Sequence, residues 1–302
     1  MAKSKSQINV EVFSEIPHAD ISDEHFFQHV QKLSRKDFRV GTGIEGIDWT
    51  GKIVLEFGCG SGLKLLPMGL RGAKIIGVDG SANQIDRISK YAKMLKLSEC
   101  EFIHCYLEDV DKKLKEFSKI DLIICSGVIH HVQEWCKIIK FFSEYLKPGG
   151  WLYLTWTDWT LYMSRFNIKN QIAYRLGWDV VSRMKIGTFL FGWWDKRRNK
   201  LNIPDESFFA DLYSAYYIPI SYRKMAKELQ KNNFSIMGIF PYYDIRRWLK
   251  IKRDTGSLNK KAFIVQELIK FKLLEVLLNI AIRMKNYLSV RQGARVVTAR
   301  KN

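Results

Sequence analysis

The sequence predicts an α/β fold built on a parallel sheet with helices on both faces. Three observations predict it. Residues 54–62, VLEFGCGSG, carry a glycine-rich turn straight after a β-like apolar run. A second apolar run, IIGVDGS, closes on Asp79, twenty-three residues after Glu56. Between residues 49 and 157, short apolar runs alternate with segments of helical period, as a doubly covered parallel sheet requires.

Each element follows from its own residues. Residues 1–20 have the composition of a loosely ordered lead-in. Residues 21–40 read as a helix, with Ser22 a candidate N-cap and Asp23 and Glu24 favourable in the first turn. Gly41, Gly43 and Gly46 end it. KIVLEFG is the first strand, and a helix through Leu65, Leu66 and Met68 follows, with Pro67 tolerated in its first turn. AKIIGVD is the second strand. The helix near 82–96 carries a stripe of Ile85, Ile88, Tyr91, Ala92 and Leu95. CEFIHCY and KIDLIICS are the third and fourth strands. A helix near 134–146 follows, then a Pro-Gly-Gly turn and the fifth strand, GWLYLTWT. Residues 158–221 break this rhythm. They are aromatic, with a basic knot WWDKRRNK, and read as a lid at the ligand end of the sheet. Residues 222–233 form a helix with Met225, Ala226 and Leu229 inward, and FSIMGIF is the sixth strand. Residues 263–288 form a long helix with a wide apolar face that includes Leu273, Leu277, Ile280 and Met284. Packing inside the protein is the expectation for that face, with lipid or another subunit as alternatives.

The turn and the two acids define a ligand. A dinucleotide needs GxGxxG and a pyrophosphate on a helix N-terminus. Here the glycines are Gly58, Gly60 and Gly62, in GxGxG spacing, and Glu56 precedes them. A carboxylate there repels phosphate and suits an ammonium, while Asp79 suits a ribose hydroxyl pair. S-adenosylmethionine has an ammonium and a ribose and no phosphate.

Two further segments, DLIICSGVIHHV at 121–132 and YLKPGGWLYLTW at 145–156, complete an ordered set. The set resembles class I S-adenosylmethionine-dependent methyltransferases, in particular the small-molecule branch with a "GVLHH" loop and an "LKPGG" turn. The resemblance covers residues 49–157 well. It extends more thinly through FFADLYSAYYIPISYRKMAKELQKNNFSIMGI to ARVVTARK, which matches that family's seventh strand. It implies a seven-stranded Rossmann-like methyltransferase sheet with helices on both faces. It also implies four regions: an N-terminal helical cap over the cofactor at 1–48, a cofactor-binding core at 49–157, an aromatic and basic substrate lid at 158–221, and a part at 222–302 that completes the sheet with a helical insertion before the last strand. Glu56, Gly58, Cys59, Gly60 and Gly62 would line the methionine and ribose side, and Asp79 would take the ribose hydroxyls, with Gly80 and Ser81 beside it. Ser126 and Gly127 would lie under the methionine end. Tyr106 departs from the pattern, standing where an Asp commonly meets the adenine amino group. Leu107 backbone, Glu108 or Asp109 would then hold adenine.

An oxygen or nitrogen acceptor must lose a proton during methyl transfer. His130 and His131 are candidate bases after the fourth strand, and hydrogen bonding to the helix start or backbone suits them equally. Asp158 suits either orienting a substrate hydroxyl or capping a helix. Tyr213, Tyr216, Tyr217 and Trp193 offer an aromatic wall for the acceptor. No acidic cluster demands a metal.

Composition bounds the partners. The net charge is +18. Residues 1–160 hold 21 Lys+Arg and 21 Asp+Glu, so residues 161–302, with 28 and 10, carry all of it. Such asymmetry suits an acidic substrate, nucleic acid or an anionic membrane surface. The five cysteines show no CxxC pair, as expected of reduced thiols in the cytoplasm. No secretory h-region or ~20-residue charge-free apolar run is present. The expected activity is methyl transfer to a small-molecule acceptor. An RNA or protein methyltransferase docking through the basic half, and a non-catalytic binding protein, are the alternatives. Monomer and homodimer both fit, as does peripheral membrane contact through 263–288.

Overall fold

Apolar residues on both faces of consecutive strands force a layered arrangement, because each face must be covered. The computed structural model describes residues 23–34, 44, 46–110, 119–156, 220–240, 260–270, 272–278 and 295–302, with positions 10, 182, 186, 189, 249 and 280. The elements run α1 (Asp23–Ser34), β1 (Ile53–Phe57), α2 (Leu65–Leu70), β2 (Lys74–Asp79), α3 (Ala82–Met94), β3 (Cys100–His104), β4 (Ile120–Ser126), α4 (Trp135–Tyr145), β5 (Leu146–Trp156), α5 (Tyr222–Lys231), β6 (Phe234–Phe240), α6 (Lys260–Leu268) and β7 (Arg295–Lys301). The seven strands form one sheet in the order β3-β2-β1-β4-β5-β7-β6. β7 is antiparallel to both its neighbours. The order reverses between β1 and β4, so the carboxyl ends of these two strands open a crevice where α/β sheets take ligands.

Period-two alternation divides the core between the two faces. Val54, Leu122 and Ile124 join Ile88, Tyr91 and Leu66 on one side. Leu55, Ile123 and Cys125 join Phe142, Met225 and Leu229 on the other. α1 closes over the first side, where Phe26 stacks on Tyr91 at 4.3 Å between ring centroids.

Two elements differ from the sequence expectation. The Pro-Gly-Gly turn lies inside β5 rather than before it. Leu146 pairs with Ile120 and Trp151 with Leu122, so the four residues between bulge out of the ladder. The bulge is tied down by Asp121, which ion-pairs with Lys147 and accepts the Ile53 N–H at 3.0 Å. Asp121→Ala should therefore lower unfolding stability by roughly 2–3 kcal/mol, since a buried donor loses its charged acceptor. A urea midpoint equal to wild type would refute the role.

The second difference is the long helix expected at 263–288. Its described part is interrupted: α6 ends at Leu268, residues 269–270 form a turn, and helix resumes at 272–278. Val265, Leu268, Ile269, Leu274 and Leu278 are half-buried, and Ile264, Leu273, Val276, Leu277 and Ile280 are exposed, while Ala281, Met284 and Leu288 lie outside the described residues. Among the described residues, no helix is long and apolar enough to cross a membrane.

Candidate functional site

The loop after β1 is held by the neighbouring strand. Gly58 and Cys59 donate their N–H groups to the Val78 carbonyl at 2.8 and 3.2 Å, and Gly62 donates to the Cys59 carbonyl at 2.8 Å. The three glycines do different things. A Cβ on Gly58 would lie 2.2 Å from Val128 Cγ2, and one on Gly62 would lie 2.6 Å from Ile88 Cδ1. Both are packing glycines. Gly60, at φ +50, has nothing within 4 Å in the direction of a Cβ, and neither does Gly127. These two line open space at the carboxyl ends of β1 and β4. The Cys59 side chain is buried, and desolvation pushes its thiol well above the usual range. Only its backbone serves the loop.

Asp79 ends β2 and locks the loop. Its Oδ2 accepts the Gly60 N–H at 2.9 Å and its Oδ1 accepts the Ser81 N–H at 2.9 Å. A carboxylate ending a strand and fixed by two backbone donors presents a rigid acceptor at the mouth of the crevice. The Ser81 side chain is occupied otherwise: it N-caps α3, accepting the Gln84 N–H.

Glu56 is 3% exposed. Its Oε2 has no hydrogen-bond partner among the described residues. Desolvation pushes its pKa up to about 8; the Lys64 charge and the Leu65 N–H pull it down, while the Asp79 charge raises it. A buried carboxyl with an oxygen to spare is the counterpart of a missing cation or donor. Together with the open faces of Gly60 and Gly127, it fits a ligand bearing an ammonium and a hydroxyl pair.

Ser126 Oγ lies 2.9 Å from Thr155 Oγ1, and the Gly127 N–H donates to the Thr155 carbonyl at 3.1 Å. Thr155, like Val128 against Gly58, lies inside a motif segment that implies no role for it, and it supports the site. The next residue, Trp156, donates its indole N–H to the Ile220 carbonyl at 2.8 Å. The chain thus leaves and re-enters the described fold at one point beside Ser126.

At the other end, the Tyr106 ring lies against Gly80. A Cβ there would meet Tyr106 Cδ1 at 3.2 Å and Val10 Cγ2 at 2.7 Å. His104 Nε2 is 2.8 Å from the Gly80 carbonyl oxygen. Leu107, Glu108 and Asp109 form a single 3-10 turn next to it. His130 and His131 sit in a second 3-10 turn after β4, both buried, with ring centroids 4.2 Å apart. Desolvation, then the His131 charge, holds His130 well below the usual imidazole range. Asp158, Trp193, Tyr213, Tyr216 and Tyr217 lie outside the described residues.

The described site residues are therefore brought to one edge of the sheet, and known proteins share the arrangement of that sheet. A family model described as a methyltransferase domain matches residues 23–216. Ubiquinone biosynthesis O-methyltransferase of Coxiella burnetii is 32% identical over 105 residues, 35% of this chain and 43% of the relative. The chain spans less than half the length of the curated relatives it matches. Among solved structures, PKMT2 from Rickettsia typhi in complex with AdoHcy has a TM-score of 0.53 at 17% identity, covering 91% of this chain and 52% of that one. Magnesium protoporphyrin IX methyltransferase (ChlM) from Synechocystis PCC 6803, with bound SAH, has a TM-score of 0.51 at 14% identity, covering 99% of this chain and 100% of that one. At these identities the two structures share the fold.

Proposed function

We propose, from the premise that this chain belongs to the methyltransferase domain family, that it transfers a methyl group from S-adenosylmethionine to a small-molecule acceptor. The observation that carries the proposal is the pair of carboxyls around an open-faced glycine. Asp79 is locked to Gly60 and Ser81, and Glu56 is buried beside the same turn with one oxygen unused.

When bound, S-adenosylmethionine would supply a sulfonium methyl group for in-line attack by the acceptor's lone pair, with the thioether of S-adenosylhomocysteine as leaving group. The chain binds, orients and excludes water. Asp79, held at the end of β2 by the Gly60 and Ser81 N–H groups, accepts the two ribose hydroxyls. Glu56 takes the ammonium, which restores the charge that burial suppresses. Gly60 and Gly127 let the backbone approach, with Gly58, Cys59 and Gly62 shaping the turn and Ser126, set by Thr155, under the methionine end. Tyr106 and Gly80 form the adenine wall, with Leu107 and Glu108 at its edge. His130 and His131, both buried in the turn after β4, are assigned either proton removal from the acceptor or support of that turn. The insertion rooted at Trp156 and Ile220 is assigned the acceptor, through Asp158, Trp193, Tyr213, Tyr216 and Tyr217. The ubiquinone and protoporphyrin methyltransferase names among its relatives support a small-molecule acceptor for this chain.

Titration calorimetry with S-adenosylhomocysteine tests the assignment. Asp79→Ala should weaken binding by roughly 100-fold, because both ribose contacts and the Gly60 anchor go together. Unchanged affinity in the folded variant, or preferential binding of a pyrophosphate dinucleotide by the wild type, would overturn it.

A further inference from the structure

Leu273, Val276, Leu277 and Ile280 repeat at spacings of three and four, so at ~100° per residue they share about 100° of helix arc. They are 73%, 49%, 51% and 46% exposed. On α6, Ile264 is 56% exposed. A contiguous apolar surface of this kind marks an interaction site rather than a solvated helix face. We propose that this stripe docks the protein on an anionic phospholipid surface.

Charge selects the occupant. Lys272 is exposed at the margin of the stripe, and Lys270, exposed in the turn before it, also pairs with Glu267 at 2.6 Å. Residues 260–288 hold six Lys+Arg (260, 261, 270, 272, 283, 285) against Glu267 and Glu275. The chain carries its whole surplus of +18 in residues 161–302. A helix with exposed Leu and Ile on one side and lysines at its margins lies in the plane of a headgroup layer, its apolar face below and its cations against phosphate. It lies on the bilayer rather than across it, since no described helix is long and apolar enough to span one. A second copy of this chain fits less well. A two-fold contact on the stripe would bring together two basic surfaces, in a chain already at +18. The assignment rests on exposure and charge and is independent of what the crevice binds.

Vesicle flotation of the full chain tests it. Vesicles of phosphatidylcholine alone are compared with vesicles containing about one third phosphatidylglycerol, and size-exclusion chromatography reads the oligomeric state. The wild type should associate with the anionic vesicles at least roughly tenfold more than with the neutral ones, and less as salt rises. Leu273→Glu/Leu277→Glu should lose roughly tenfold or more of that association with its melting temperature unchanged, both positions being exposed. Should that variant fail to fold, Lys270→Gln/Lys272→Gln keeps the stripe and should still reduce association severalfold. Absence of wild-type association with anionic vesicles overturns the proposal, as do folded variants that associate as the wild type does. A wild-type dimer that Leu273→Glu/Leu277→Glu dissociates also overturns it, and assigns the stripe to a second copy.

Discussion

Glu56→Gln should abolish the pH dependence of cofactor affinity. In the ligand-free protein burial sets the Glu56 pKa at about 8, so at pH 7 the carboxyl is mostly protonated. An ammonium beside it favours the carboxylate, so binding expels close to one proton. For S-adenosylhomocysteine the wild-type affinity should rise about tenfold per unit between pH 6 and 7.5 and level off above about pH 8. The Gln variant should show a flat profile and bind roughly 10–100-fold more weakly at pH 8. Calorimetry in buffers of different ionisation enthalpy counts the proton directly. Folding stability gives a second signal with a defined sign. The folded pKa lies above the ordinary 4.5, so the native state holds more protons than the unfolded chain between the two values. The stability linked to Glu56 is then fully present below about pH 4.5 and is lost as pH rises through 8, a change on the order of a few kcal/mol. Denaturant midpoints of the ligand-free protein should therefore fall over that window in the wild type more than in Glu56→Gln. Equal slopes would show that burial does not raise the Glu56 pKa, and binding without proton release would show that Glu56 does not meet the ammonium.

Gly58→Ala and Gly60→Ala, two residues apart in one turn, should fail in opposite ways. Both glycines have positive φ, so each Ala carries a backbone cost of about 1–2 kcal/mol. At Gly58 the added methyl lands 2.2 Å from Val128 Cγ2. Overpacking adds roughly 1–3 kcal/mol, so this variant should lose stability first and binding as a consequence. At Gly60 the methyl enters open space. That variant should stay folded, about 1–2 kcal/mol less stable, and lose S-adenosylhomocysteine binding by roughly 100-fold, because the methyl stands where the ligand must lie against backbone. Thermal melts and calorimetry on the two variants separate the cases. Retained affinity in Gly60→Ala would place the ligand elsewhere.

Local patterns made the strands, the glycine turn and its two acids readable. In the Glu56 to Gly62 turn and at Asp79, residue type and spacing are themselves the signal: glycine adopts the positive φ without the cost a side chain carries, and an acid ending a strand presents acceptors at the ligand end of the sheet. Partners from distant segments were not readable. Nothing near Ser126 in the chain announces Thr155, and nothing near Gly58 announces Val128 as the side chain filling its Cβ direction. GxGxG spacing treats its three glycines alike, yet only the middle one faces open space. Ser81, grouped with the ribose by resemblance, uses its hydroxyl to cap α3.

The 273–280 stripe shows the same division. Its period was legible as a wide apolar face, and apolar periodicity is a property of one segment. Whether that face is covered depends on what the rest of the chain brings to it, and the described structure leaves it exposed. The chain's order of residues determined which elements form and which chemical groups end each strand, because backbone sterics and short-range periodicity act over a few positions. Tertiary packing alone decided which of those groups are buried, which oxygen of Glu56 has no hydrogen-bond partner among the described residues and which glycine faces open space, because burial and hydrogen-bond partnership are relations between segments far apart in the chain.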